Sequence, residues 1–142
     1  VGGWKKNPLF DNIIKKFKVV KNFIILLNLP LDADRPAVIS GADMLVYPSH
    51  YEGFGMPPLE ALACGVPVIT ANNSSLPEAV GDAAVMIDSG DSEALRKEIE
   101  HYIRNRKEIT SSSLRAGPAQ AEKFSWKKSA KILLDLAEDL QR

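Results

Sequence analysis

Four short runs of strand-favouring residues alternate along this chain with helically patterned stretches, an alternation that leaves few folds open. The runs are Phe23-Ile24-Ile25-Leu26-Leu27, Asp43-Met44-Leu45-Val46-Tyr47, Pro67-Val68-Ile69-Thr70-Ala71 and Ala84-Val85-Met86-Ile87. The first two carry the apolar character expected of strands buried on both faces. Helical signals sit between them. Leu9, Ile13, Ile14 and Phe17 fall at helical spacing over 8–18, a short helical turn is predicted at Arg35–Ser40, and Ser74 or Ser75 is placed to cap a short helix reaching Val80.

Beyond the last run the signals are helical only. Asp91 or Ser92 caps a helix with Leu95, Ile99, Tyr102 and Ile103 on one side. A more polar stretch with Ile109 and Leu114 then meets Gly117-Pro118, which is predicted to kink or break it. Ser125 caps a final helix within 120–142 that carries Ile132, Leu133, Leu136, Ala137 and Leu140 on one face, with Phe124 and Trp126 expected to anchor it to the core. The predicted fold is α/β, a doubly wound, Rossmann-like parallel sheet. With 142 residues the chain is predicted to be a single domain over 1–142.

Charge excludes some partners. Lys+Arg and Asp+Glu are equal at 18 each, so no overall field points to nucleic acid. Six lysines fall within residues 1–21 against Asp11 alone, and a solvated helix face accounts for them without aromatic interleaving. The longest apolar run, Phe23 to Leu27, is too short to cross a bilayer. A cytoplasmic location is expected, with peripheral contact at the inner membrane face as the further option. One cysteine, Cys64, fits a reducing compartment and a small core position. Two histidines and one cysteine make a zinc site a poor reading.

The segment with most chemistry is Glu52-Gly53-Phe54-Gly55-Met56-Pro57-Pro58-Leu59-Glu60. It sets two carboxylates eight positions apart around a glycine turn that runs into a helix. Gly53 and Gly55 permit positive φ and close ligand approach. Pro57 and Pro58 suit a first helical turn, and Gly65 suits its stop. A helix start offers N–H groups to phosphate or sugar hydroxyls. No third glycine stands where a dinucleotide loop needs one, and no Gly-Lys-Ser/Thr is present, so NAD and a P-loop are set aside.

A longer string closely resembles the donor-binding core of the retaining GT-B glycosyltransferases of the group 1 family. It comprises Asp43-Met44-Leu45-Val46-Tyr47-Pro48-Ser49, the glycine turn, Pro58-Leu59-Glu60-Ala61 and Gly65-Val66-Pro67-Val68-Ile69. Leu76-Pro77-Glu78, Gly81-Asp82-Ala83-Ala84 and Phe124-Ser125-Trp126 follow in family order, so the likeness covers about residues 41–138. The resemblance implies the C-terminal half of a GT-B fold, truncated at its N-terminus. It implies that Glu52 lies beside the transferred sugar at the reacting centre. It further implies that backbone N–H groups of Gly53, Phe54, Gly55 and Met56 contact sugar hydroxyls and the distal phosphate, and that Glu60 accepts from both ribose hydroxyls.

The implied partners are a nucleotide-diphosphate sugar donor and a glycan or glycolipid acceptor bound by a missing N-terminal domain. The implied reaction is retaining transfer of a hexose, with mannose favoured, and no cofactor or metal is expected. The family's upstream Gly-Arg turn and Lys have no match here, and Lys5 and Lys6 read better as a solvated loop than as their substitutes. The chain opens on Val1-Gly2-Gly3, so a piece of a longer protein, inactive by itself, is expected. A sheet edge exposed by truncation would favour a homodimer. The alternative is a non-catalytic nucleotide-sugar-binding or assembly module.

Overall fold

The computed structural model describes residues 34–140, so the helix predicted over 8–18 and the strand at 23–27 lie outside the described residues. The first element is helix α1 (Arg35–Ser40), as the sequence indicated. Strand β1 (Leu45–Tyr47) follows, then helix α2 (Met56–Ala63), strand β2 (Val68–Ala71), helix α3 (Leu76–Val80), a 3-10 turn at Gly81–Ala83 and strand β3 (Val85–Ile87). Three helices complete the described chain: α4 (Ser92–Arg104), α5 (Arg106–Ala121) and α6 (Trp126–Asp139).

The strands lie in the order β1-β2-β3, all parallel, with Leu45 opposite Val68 and Ile69 opposite Val85. Parallel neighbours need crossovers, and helices supply both. All four residues of β2 are buried. Successive side chains of a strand point to opposite faces, so β2 is covered on both. β1 departs from the expected full burial. It is an edge of the described sheet, and Val46 stays 36% exposed.

Helix α2 ends as its glycine demands. Gly65 takes φ +71°, its N–H donates to Leu62 O at 2.9 Å, and Val66 N–H donates to Ala61 O at 2.9 Å. That is a Schellman closure, and it turns the chain directly into β2. The core gathers Ala61, Leu62, Val66, Val68, Ala79 and Val80, with Cys64 half-buried against it.

Gly117-Pro118 does not break the second of the late helical stretches. Helix α5 runs continuously through it from Arg106 to Ala121. Pro118 withholds one N–H from the helix ladder. What outweighs the loss is packing against α2, which α5 approaches so closely that a Cβ on Gly117 would lie 2.4 Å from Leu62 O. Gln120, buried one turn later, donates to Ala79 O at 3.0 Å and so satisfies a carbonyl near the end of α3.

The caps of the outer helices are as predicted. Asp91 Oδ1 accepts from Glu93 and Ala94 N–H at 3.1 and 2.9 Å, and Ser125 Oγ accepts from Lys128 N–H at 3.3 Å. Trp126 is the correction. It is 82% exposed, and no residue of α6 is buried. Phe124 does reach inward, edge-on to Phe54. Among the described residues no helix is long and apolar enough to cross a membrane.

Candidate functional site

The cradle occupies the carboxyl end of β1, where open α/β sheets place their ligands. From Tyr47 the chain passes through Glu52 and the glycines into α2. Gly55 is the cap residue of α2 with φ +100°, and a Cβ there would sit 2.8 Å from Leu76 Cδ2. Only glycine satisfies both conditions. Gly53 differs from expectation: it is not among the glycines with positive φ, and nothing lies within 4 Å of where its Cβ would be. Its contribution is open space rather than a special conformation.

Pro57 and Pro58 fall within the first turn of α2 and remove two of its usual free donors. Leu59 N–H already donates to Gly55 O at 3.2 Å. The N–H groups available to a ligand are therefore those of Gly53, Phe54, Gly55 and Met56, none of which donates to another described residue. Phe54 and Met56 flank them as partly exposed apolar walls. The Phe54 ring stands 5.4 Å from that of Phe124 at 79°, an edge-to-face arrangement that fixes its plane. Beside it a hollow of about 380 Å³ is lined by Phe54, Met56, Leu59, Phe124 and Trp126.

Glu52 is held from three sides. Tyr47 Oη donates to Glu52 Oε1 at 2.6 Å. Glu52 N–H donates to Ser74 Oγ at 3.1 Å, and Ser75 Oγ donates to Glu52 O at 2.9 Å. The phenol holds the Glu52 carboxyl below the usual carboxylate range, so it is ionised at neutral pH. In return the Tyr47 phenol is pushed above its ordinary value by the same hydrogen bond. One further bond joins the loops, from Asn73 Nδ2 to Ser49 O at 3.2 Å, and one joins the strands before them, from Thr70 Oγ1 to Tyr47 O at 3.1 Å.

These bonds revise the reading of the loop after β2. Ser75 occupies the cap position of α3, but its side chain makes no capping bond and goes to Glu52 instead. Asn73 is engaged with Ser49, while Asn72 is exposed and its N–H donates to Ile87 O at 2.7 Å. Tyr47, Ser74 and Ser75 were not singled out as site residues. The signal available was topological, since loops that follow adjacent parallel strands must lie side by side.

Glu60 is the fifth residue of α2, eight positions along the chain from Glu52, and is half-buried. His50 and His101 are both exposed. Among the described residues no group of three or more His, Cys, Asp or Glu is arranged to hold a metal ion.

Solved structures establish the fold class to which this sheet belongs. Sucrose-phosphate synthase from Thermosynechococcus elongatus superposes with a TM-score of 0.79 at 23% identity, over 92% of this chain and 33% of that one. The Anabaena protein HepE, solved in complex with UDP and glucose, superposes with a TM-score of 0.75 at 23% identity, over 94% of this chain and 35% of its own. The fold is the α/β, Rossmann-like half-domain of GT-B glycosyltransferases. The model of the family described as glycosyl transferases group 1 matches residues 1–117, and the chain belongs to that family.

Among curated relatives, O-antigen chain mannosyltransferase B of Escherichia coli is 39% identical over 126 residues, which is 87% of this chain and 32% of that protein. The D-inositol 3-phosphate glycosyltransferase of Segniliparus rotundus is 39% identical over 99 residues, 68% of this chain and 22% of its own. The chain thus spans 32% or less of the length of these two relatives.

Proposed function

We propose that this chain is the donor-binding part of a retaining glycosyltransferase that moves a hexose from a nucleotide-diphosphate sugar to a polysaccharide or glycolipid acceptor. The observation that carries the reading is the cradle: a clamped, ionised Glu52 and a half-buried Glu60 bracket four N–H groups that donate to no other described residue, at the carboxyl end of β1. Mannose is the favoured sugar because the Escherichia coli relatives are mannosyltransferases.

Each end of the cradle has a distinct task. Glu52 lies beside the transferred sugar and offers negative charge to the oxocarbenium-like transition state as the glycosidic bond breaks. The N–H groups of Gly53, Phe54, Gly55 and Met56 donate to sugar hydroxyls and to the distal phosphate, where charge grows on the leaving diphosphate. Glu60 is acceptor-only when ionised, so its two oxygens suit the two hydroxyls of a ribose cis-diol. The diphosphate is held without a metal ion. Two carboxylates set to cleave one bond by hydrolysis fit less well, because Glu60 is assigned to the nucleotide end.

Calorimetric titration of the full-length protein with UDP, GDP and ADP tests this assignment. One nucleotide is expected to bind, and Glu60→Ala is expected to weaken it on the order of 10- to 100-fold, the loss of hydrogen bonds to a charged acceptor. A Glu60→Ala protein that binds as tightly as the parent overturns the placement of the ribose.

A further inference from the structure

We infer that Tyr47, Ser74 and Ser75 are positioning residues for Glu52, forming a clamp that ties the loop after β2 to the loop after β1. The inference rests on the reading of Glu52 given above. Its basis is geometric. The Glu52 N–H, carbonyl and carboxylate each have a side-chain partner, at 3.1, 2.9 and 2.6 Å. Two of these partners stand 22 and 23 positions further along the chain, on the neighbouring strand's loop. A backbone gripped on both sides of its Cα, with one carboxylate oxygen also held, has few ways to swing. Displacement of a reacting group by about 1 Å can reduce turnover on the order of 100-fold, which is the scale such a clamp protects.

Ser74 separates this role from ordinary loop structure. It is the one non-glycine residue with positive φ among the described residues, at +49°. Glycine takes that conformation without a Cβ penalty, so backbone shape alone would be better served by glycine. What serine adds is a hydroxyl used twice. It accepts from Glu52 N–H and donates to Asn73 Oδ1 at 3.1 Å, while Asn73 itself reaches across to Ser49 O. The conformational cost is borne at the residue whose hydroxyl reaches Glu52.

The experiment measures release of nucleotide from GDP-mannose and from UDP-glucose by the full-length enzyme, alongside thermal unfolding. Ser74→Gly keeps the backbone conformation and removes the hydroxyl. It is expected to lower kcat about 10-fold with the donor KM within about twofold and the Tm undiminished, the pattern of an interaction that matters only in the transition state. Ser75→Ala is expected to lower kcat similarly, and Ser75→Thr to restore most of it by returning a hydroxyl. A Ser74→Gly enzyme with parental kcat overturns the clamp. So does a Ser75→Ala loss that tracks a fallen Tm and is not recovered in Ser75→Thr. Glu52→Gln serves as the reference: if that change leaves kcat intact, the reading of Glu52 itself fails and the clamp falls with it.

Discussion

Glu52→Gln in the full-length enzyme is expected to lower turnover about 100- to 1,000-fold, the scale on which one preorganised electrostatic contact acts. Glutamine keeps the shape of the side chain. Its amide oxygen can still accept from Tyr47, and the backbone bonds to Ser74 and Ser75 are untouched by the change. What disappears is the negative charge of a carboxyl that the Tyr47 hydrogen bond holds below its ordinary value. Nucleotide affinity is therefore expected to remain near that of the parent, because the ribose is assigned to Glu60. Steady-state kinetics beside calorimetry separate the two terms. Unchanged turnover would remove Glu52 from the chemistry.

Gly117→Ala is expected to destabilise the domain by about 3 kcal/mol, at the upper end of the range for overpacked cores. For a domain of this size that corresponds to a fall in Tm of roughly 10 °C. The direction is the informative part. In an exposed helix the same change stabilises by about 1 kcal/mol through propensity alone. Here the new methyl would stand 2.4 Å from the Leu62 carbonyl oxygen, and backbone cannot yield as a flexible side chain can. Relief requires α5 to move away from α2, and α2 begins at the cradle. Differential scanning calorimetry of the variant decides it: a Tm equal to or above the parental one would mean the helices are not in backbone contact.

The parts of the fold that could be read in the sequence were those dictated locally. Pro57 and Pro58 marked the start of α2, Gly65 its end, and Val68-Ile69-Thr70-Ala71 a strand, because φ restriction and β-branching act on the residue that carries them. Gly117-Pro118 was misread for the same reason. Taken by itself the pair opposes a helix, and only the partner helix, which needs a residue without Cβ at that crossing, reverses the balance. Trp126 was given a core role on size and hydrophobicity, yet it stands 82% exposed at the start of α6. The cradle was visible as a string of residues. Its clamp was not, since Ser74 and Ser75 resemble ordinary caps until the register of β1 and β2 brings them beside Glu52.

The two prolines at the head of α2 also have a spectroscopic consequence. Neither carries an amide proton, and the next amide, Leu59, is tied to Gly55 O at 3.2 Å. In an amide-exchange or NMR experiment the stretch from Gly53 to Met56 is therefore bounded by a silent gap. Its four resonances report on the cradle free of signal from the helix behind it. A bound phosphate or sugar would slow their exchange without a matching change in α2, which makes this short run a built-in gauge of occupancy.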